Sequence, residues 1–110
     1  MADRNAAIRQ KLEAIQAEMQ RLGAWDVQPP PPEALENMGA FGKKTMAFEQ
    51  WLRHVFAPRV EGLLESGGPW PESSAVGAHA VREFDGFYEA DALTRLLCEF
   101  DALFGGEGAC

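Results

Sequence analysis

Cysteine, histidine and tyrosine are nearly missing from this chain: two, two and one among 110 residues. Two cysteines are too few for a disulfide framework. No CxxC, HxxxH or ExxH spacing occurs, so the closely spaced ligand pairs of zinc and di-iron sites are absent. Neither a metal nor any other cofactor is expected. Basic residues are also scarce, 10 against 17 acidic, for a net charge of −7. Nucleic-acid binding needs a cationic footprint to displace counterions from phosphates, and no basic run supplies one. Only a patch assembled by folding, for instance from Arg53 and Arg59, would offer a weak substitute. No apolar run approaches the ~18 residues of a membrane span. The first turn holds Asp3 and Arg4 and is followed by mixed charges, not by the apolar core of a signal peptide. The expectation is a soluble, cytoplasmic protein with no membrane contact.

What remains is enough for one globular domain. The chain has a hydrophobic fraction of 46% and a charged fraction of 25%, near globular averages. Its length falls within the roughly 100–200 residues of a single domain. The acidic excess is uneven: from Gly67 to Cys110 eight acidic residues face only Arg82 and Arg95. Such a half keeps a domain soluble.

Apolar residues recur at helical spacing throughout. Ile8, Leu12, Ile15, Met19 and Leu22 form one seam on a charged rod, capped by Asp3 or Asn5 and stopped at Gly23. A second helix begins near Thr45 or Met46 and carries Phe48, Trp51, Leu52, Val55 and Phe56 inward. Glu49 and Arg53 are spaced to pair on its surface. Pro58 lacks an N–H and crowds the His54 carbonyl, so this helix is expected to kink there. It then resumes through Val60, Leu63 and Leu64 to Gly67. A third helix, from about Ser73 to Phe84, is expected to take Ser73 or Ser74 as its cap and to turn Val76, Ala80, Val81 and Phe84 inward. Gly77 costs it up to about 1 kcal/mol relative to alanine. The last helix, near Tyr88 to Phe104, carries Leu93, Leu96, Leu97, Phe100, Leu103 and Phe104, and Cys98 reads as a small buried hydrophobe.

Four helices joined mostly by short turns predict an all-α, four-helix up-and-down bundle spanning residues 1–110. Residues 26–44 form a long proline-rich connection between the first two helices, stiffened by Pro29–Pro32. It is expected to be ordered or semi-ordered, pinned by Leu35, Met38 and Phe41. Residues 105–110 should fray.

The run TMAFEQWLRHVFAPRVEGLLESGGPWP, from Thr45 through Pro71, together with Phe100-Asp101-Ala102-Leu103-Phe104, resembles the YqcC-like family of small bacterial proteins. The Trp51-Leu52 pair followed at fixed spacing by Pro58-Arg59 is the specific part of the likeness. Departures from the family pattern fall at Lys43, Lys44, Gly77 and His79. The resemblance implies an all-helical bundle but no activity, since the family has no established catalytic residues to carry over. Some members are encoded beside a tRNA pseudouridine synthase, which implies a partner or a shared pathway.

Chemistry-bearing residues do not form a site in the sequence. His54 and His79 lie on different helices, and Cys98 would meet either only through the fold. Glu61 and Glu65 share a face as solvated carboxylates, and the glycine pairs at 67–68 and 105–106 lack the lysine of a phosphate loop. An enzyme is not expected. The remaining candidates are aromatic residues at the kink and turns. Trp51, Pro58, Arg59 and Trp70 are the expected surface of a non-catalytic protein-interaction module, since tryptophan and arginine anchor interfaces. A homodimer through the same patch is a variant of this reading. The alternative is a small apolar ligand held between the helices, in space opened by the kink.

Overall fold

The seam on the first helix is a core seam: Ile8, Leu12, Ile15 and Met19 are all buried along α1 (Arg4–Leu22). Each such side chain contributes roughly 1.5–3 kcal/mol by leaving water. The helix stops where the left-handed glycine was expected. Gly23 has φ 74°, and the Ala24 N–H reaches back to the Met19 carbonyl at 2.8 Å, closing the end. The computed structural model describes residues 4–33 and 46–104, and among these every regular element is helical. Asp3, Leu35, Met38, Phe41 and the tail from 105 to 110 lie outside the described residues.

The second rod is made of α2 (Phe48–Trp51), a π-helical turn (Leu52–Phe56) and α3 (Ala57–Ser66). The irregularity expected at Pro58 takes this form. A proline cannot donate to the carbonyl four residues back and its ring presses on it. One widened turn relieves both problems, and the Ala57 N–H donates five residues back to Leu52. Trp51, Leu52, Phe56 and Ala57 all keep right-handed helical backbone, so the rod is continuous. Gly67, with φ 80°, ends it.

Residues that follow α1 strap over this rod. Arg53 lays its guanidinium on the Trp25 ring, 4.3 Å from the centroid, and is not paired with Glu49. His54 Nε2 lies 2.8 Å from the Val27 carbonyl, and Gln50 Nε2 donates to the Gln28 carbonyl at 3.0 Å.

The third helix is shorter than its expected range, α4 (Val76–Glu83), and neither serine caps it as anticipated. The cap comes from another helix. Asp101, on α5 (Asp91–Ala102), is 1% exposed. Its carboxylate accepts the N–H groups of Val76 (3.0 Å), Gly77 (2.8 Å) and Ala78 (3.3 Å) and the Ser74 hydroxyl (2.6 Å). These are the donors that a helix start leaves without intrahelical partners. The negative charge also meets the positive end of the α4 dipole.

Gly77 makes this arrangement fit. A Cβ there would stand 2.5 Å from the Cys98 Cα and backbone N, so α4 and α5 touch backbone to backbone. Cys98 itself is half-buried and disulfide-bonded, not the small buried hydrophobe expected. Its backbone occupies the helix contact, leaving the sulfur on the flank; Cys110, the other cysteine, is outside the described residues. Val81 also departs from expectation at 47% exposed, whereas Val76, Ala80 and Phe84 are buried. A 3-10 turn (Tyr88–Ala90) leads into α5. α5 packs against α4 and α1, and α3 packs against α1, which completes the four-helix bundle.

Candidate functional site

The second rod from Trp51 to Leu63, the segment 70–76 and the end of α5 enclose a half-open cavity of about 230 Å³. Trp51, Arg59 and Trp70 all line it, so three of the four residues singled out from the sequence converge. Pro58, although exposed, is not in its wall. Its part is indirect: it imposes the widened turn that sets Arg59 after Phe56.

The three differ sharply in burial. Trp51 is 4% exposed, stacked on Phe48 (5.9 Å between centroids) and on Phe56 (5.7 Å). It belongs to the core and forms the floor of the cavity. Trp70 is half-buried, with its indole N–H donating to Asn5 Oδ1 at 2.8 Å and its ring 5.9 Å from Phe104. Asn5, anticipated as a helix cap, is therefore a tether for the turn that carries Trp70. Arg59 is exposed and engages no described residue. It leaves the His54 carbonyl alone and stands in solvent at the cavity's edge.

The wall continues through a chain of rings. Phe56 meets Phe100 edge-on at 5.0 Å, and Phe100 packs on Phe104 at 5.2 Å. With Val60 and Leu63 these make an apolar lining, and the hydroxyls of Ser73 and Ser74 add polar points. The cavity can accept an apolar group while Arg59 offers a cation to an anionic one. Nothing in this lining can act as a nucleophile–base pair.

The histidines do not join Cys98. His79 packs on Phe48 and lies 3.2 Å from Glu83, while His54 faces the strap. The hollow beside Cys98 is lined by Val81, Asp91, Thr94, Arg95, Glu99 and Ala102, with no histidine, and a sulfur in a disulfide offers no thiolate. Among the described residues no group of three or more histidines, cysteines or carboxylates is placed to hold a metal. No described helix is long and apolar enough to cross a membrane.

A second exposed feature was not anticipated. The turn between α4 and α5 presents Phe87 and Tyr88, 45% and 80% exposed. Beside it a recess of about 230 Å³ opens between the end of α1 and this turn, lined by Leu22, Ala24, Val27, Phe84, Phe87 and Leu93, with Glu49 in its wall. The dense apolar pattern of the last helix, expected from near Tyr88, gave no sign that Tyr88 and the preceding Phe87 would stand outside the bundle.

The chain is similar over most of its length to known proteins. The family described as "tRNA pseudouridine synthase C" (DUF446) matches residues 7–103. An uncharacterized protein of Haemophilus influenzae is 40% identical over 80 residues, covering 70% of this chain and 76% of that one. A protein of Pectobacterium carotovorum named tRNA pseudouridine synthase C is 37% identical over 70 residues, 64% of this chain. The matched part is only 19% of that longer relative. The solution structure of the Escherichia coli protein YqcC superposes with a TM-score of 0.81 at 26% identity, covering 97% of this chain and 92% of that one. The relatives of comparable length are small proteins without an assigned activity, and the link to tRNA pseudouridine synthase lies in names alone. By family match, sequence relatives and fold together, the chain belongs to the YqcC-like family.

Proposed function

We propose that the chain is a non-catalytic protein-interaction module that works with a tRNA pseudouridine synthase or in its pathway. The carrying observation is that a stretch similar to this chain makes up 19% of a longer protein bearing that enzyme's name. Joining two domains in one chain raises their effective concentration, which suits domains that also function together as separate chains. The charge supports a protein partner, since −7 repels nucleic acid phosphates. A cytoplasmic place of action belongs to this reading, because tRNA modification occurs there.

The contact surface in this proposal is the cavity edge formed by Trp51, Arg59 and Trp70, with Pro58 beside it. Trp51 shapes the floor, and Arg59 and Trp70 supply the accessible groups. Calorimetry with the purified synthase of the same organism tests it. A complex at micromolar concentration, weakened about tenfold by Arg59→Ala at unchanged melting temperature, is the expected result for one lost interface anchor. No complex at high micromolar concentrations of both proteins would remove the proposal. Sedimentation of the chain alone separates the homodimer variant, which a monomer at all concentrations excludes.

The cavity itself favours a second reading, a small apolar carboxylic acid bound between the rings with its carboxylate on Arg59. Native mass spectrometry of freshly purified protein and a thermal shift with aromatic acids distinguish it. A bare mass and no shift would leave the protein partner alone in contention.

A further inference from the structure

We infer that the recess beside Phe87 and the exposed Tyr88 form a docking surface for lysine or arginine side chains on the cationic face of a tRNA-binding protein. The inference rests on the proposed link to a tRNA pseudouridine synthase and names a contact separate from the Arg59 edge.

The aromatic residues carry the argument. Phe87 and Tyr88 are, with Val81, the exposed large hydrophobic side chains among the described residues. Tyrosine at 80% exposure is not a packing residue, and it is enriched among interface anchors. Phe87 is held from behind by Phe84, 6.2 Å away and edge-on, so its free face is fixed and not collapsible. The recess it borders has an apolar floor and a carboxylate, Glu49, in its wall. That combination matches a lysine or arginine, whose aliphatic stem covers apolar surface while its charged head seeks a carboxylate or an aromatic face.

Charge selects the class of partner. Asp85 and Glu89 flank the two aromatic residues and are exposed. Of the nearby cations, Arg21 is already engaged by the Glu18 carboxylate and the Glu89 carbonyl, and Arg53 lies on the Trp25 ring, leaving Arg82 on α4. An anionic lipid surface or a nucleic acid would be repelled here. A protein that binds tRNA must itself carry a cationic surface, and this turn is complementary to it. Docking there places the chain in competition with tRNA phosphates for the same cations.

The test is binding of the intact chain to the purified synthase of the same organism, measured by calorimetry with and without tRNA. Tyr88→Ala and Glu49→Gln are each expected to weaken binding several-fold, and Tyr88→Ala the more, roughly tenfold. Raising NaCl from about 50 to about 300 mM should weaken the parent complex several-fold, and tRNA should compete. Wild-type affinity in both variants, alongside loss in Arg59→Ala, would overturn this surface and leave the proposed function standing. Absence of any complex with the wild-type chain would overturn both. Binding of tRNA by the chain alone would overturn the charge argument.

Discussion

The two ends of α4 are built from similar residues and come to opposite outcomes. At the N-terminal end, Ser74, Asp101 and Phe100 gather where α5 crosses, and the carboxylate is almost wholly withdrawn from water. At the C-terminal end, Asp85, Phe87, Tyr88 and Glu89 stand in solvent. The difference lies in what each end leaves unpaired. A helix start offers several free N–H groups converging on one point, and burying a carboxylate is affordable only when such donors meet it. The end of α4 has no such convergence; the chain leaves through Gly86, at φ 82°, and its aromatic residues project past the last layer of core. A carboxylate beside aromatic rings is thus structural at one end and available for recognition at the other.

Substitutions at the two ends should separate these roles. The largest effect is expected for Asp101→Ala, which strips three backbone N–H groups and a hydroxyl of their acceptor. Losing a helix cap costs about 0.5–2 kcal/mol, and buried unsatisfied donors add to it. Urea unfolding should show a loss of about 3–4 kcal/mol, against the roughly 5–15 kcal/mol that holds a domain of this size. A loss under about 1 kcal/mol would mean that water replaces the carboxylate freely and that the end is less sealed than its geometry implies.

Gly77→Ala is expected to follow at about 1–3 kcal/mol of destabilisation, because the new methyl meets the Cys98 backbone and not a movable side chain. Helix propensity alone gives the opposite sign, a gain of about 1 kcal/mol. The direction of the measured change therefore decides between local preference and helix contact.

Trp70→Phe should cost about 1 kcal/mol through the lost indole bond to Asn5. Asn5→Ala should cost a similar amount, and the two should not add when combined. At the opposite end, Tyr88→Ala should change stability by no more than about 0.5 kcal/mol, as for other surface substitutions. A larger loss would mark the turn as part of the core. The smallest effect concerns the Glu18–Arg21 pair. The hydrogen bond to Arg21 lowers the Glu18 pKa below its usual 4.5 in the folded chain. Its contribution is therefore present above that value and fades as pH falls through the lower, folded one. Glu18→Gln should flatten the acid limb of the stability curve only slightly, since the pair is exposed and screened.

Much of the fold was legible because burial repeats with the helix period. The α1 seam, the Gly23 and Gly67 stops and the core positions of Leu93, Leu97 and Phe100 follow from spacing alone. The disturbance at Pro58 was legible too, since a missing N–H is a local fact. Its resolution as a π-helical turn was not, because whether a helix breaks or widens depends on what holds its two halves. Here Phe48, Trp51 and Phe56 stack across the irregularity. The candidate site was partly legible in the same way. Trp51, Arg59 and Trp70 were marked by residue type and position, yet their convergence needs α3, the segment 68–75 and Asn5 of α1 together.

Asp101 and Gly77 stayed hidden for one reason. By local rules an aspartate inside a helix reads as surface and a glycine inside a helix as a weakness, and both readings fail only where a second helix arrives. Periodicity decides which face of each helix is apolar, so the sequence by itself determined four helices, their stops and most of their core. Which polar groups face one another, which aromatic side chains are left outside and how closely two backbones approach depend on contacts between residues far apart in the chain. No local pattern encodes those distances, and the tertiary structure alone decided them.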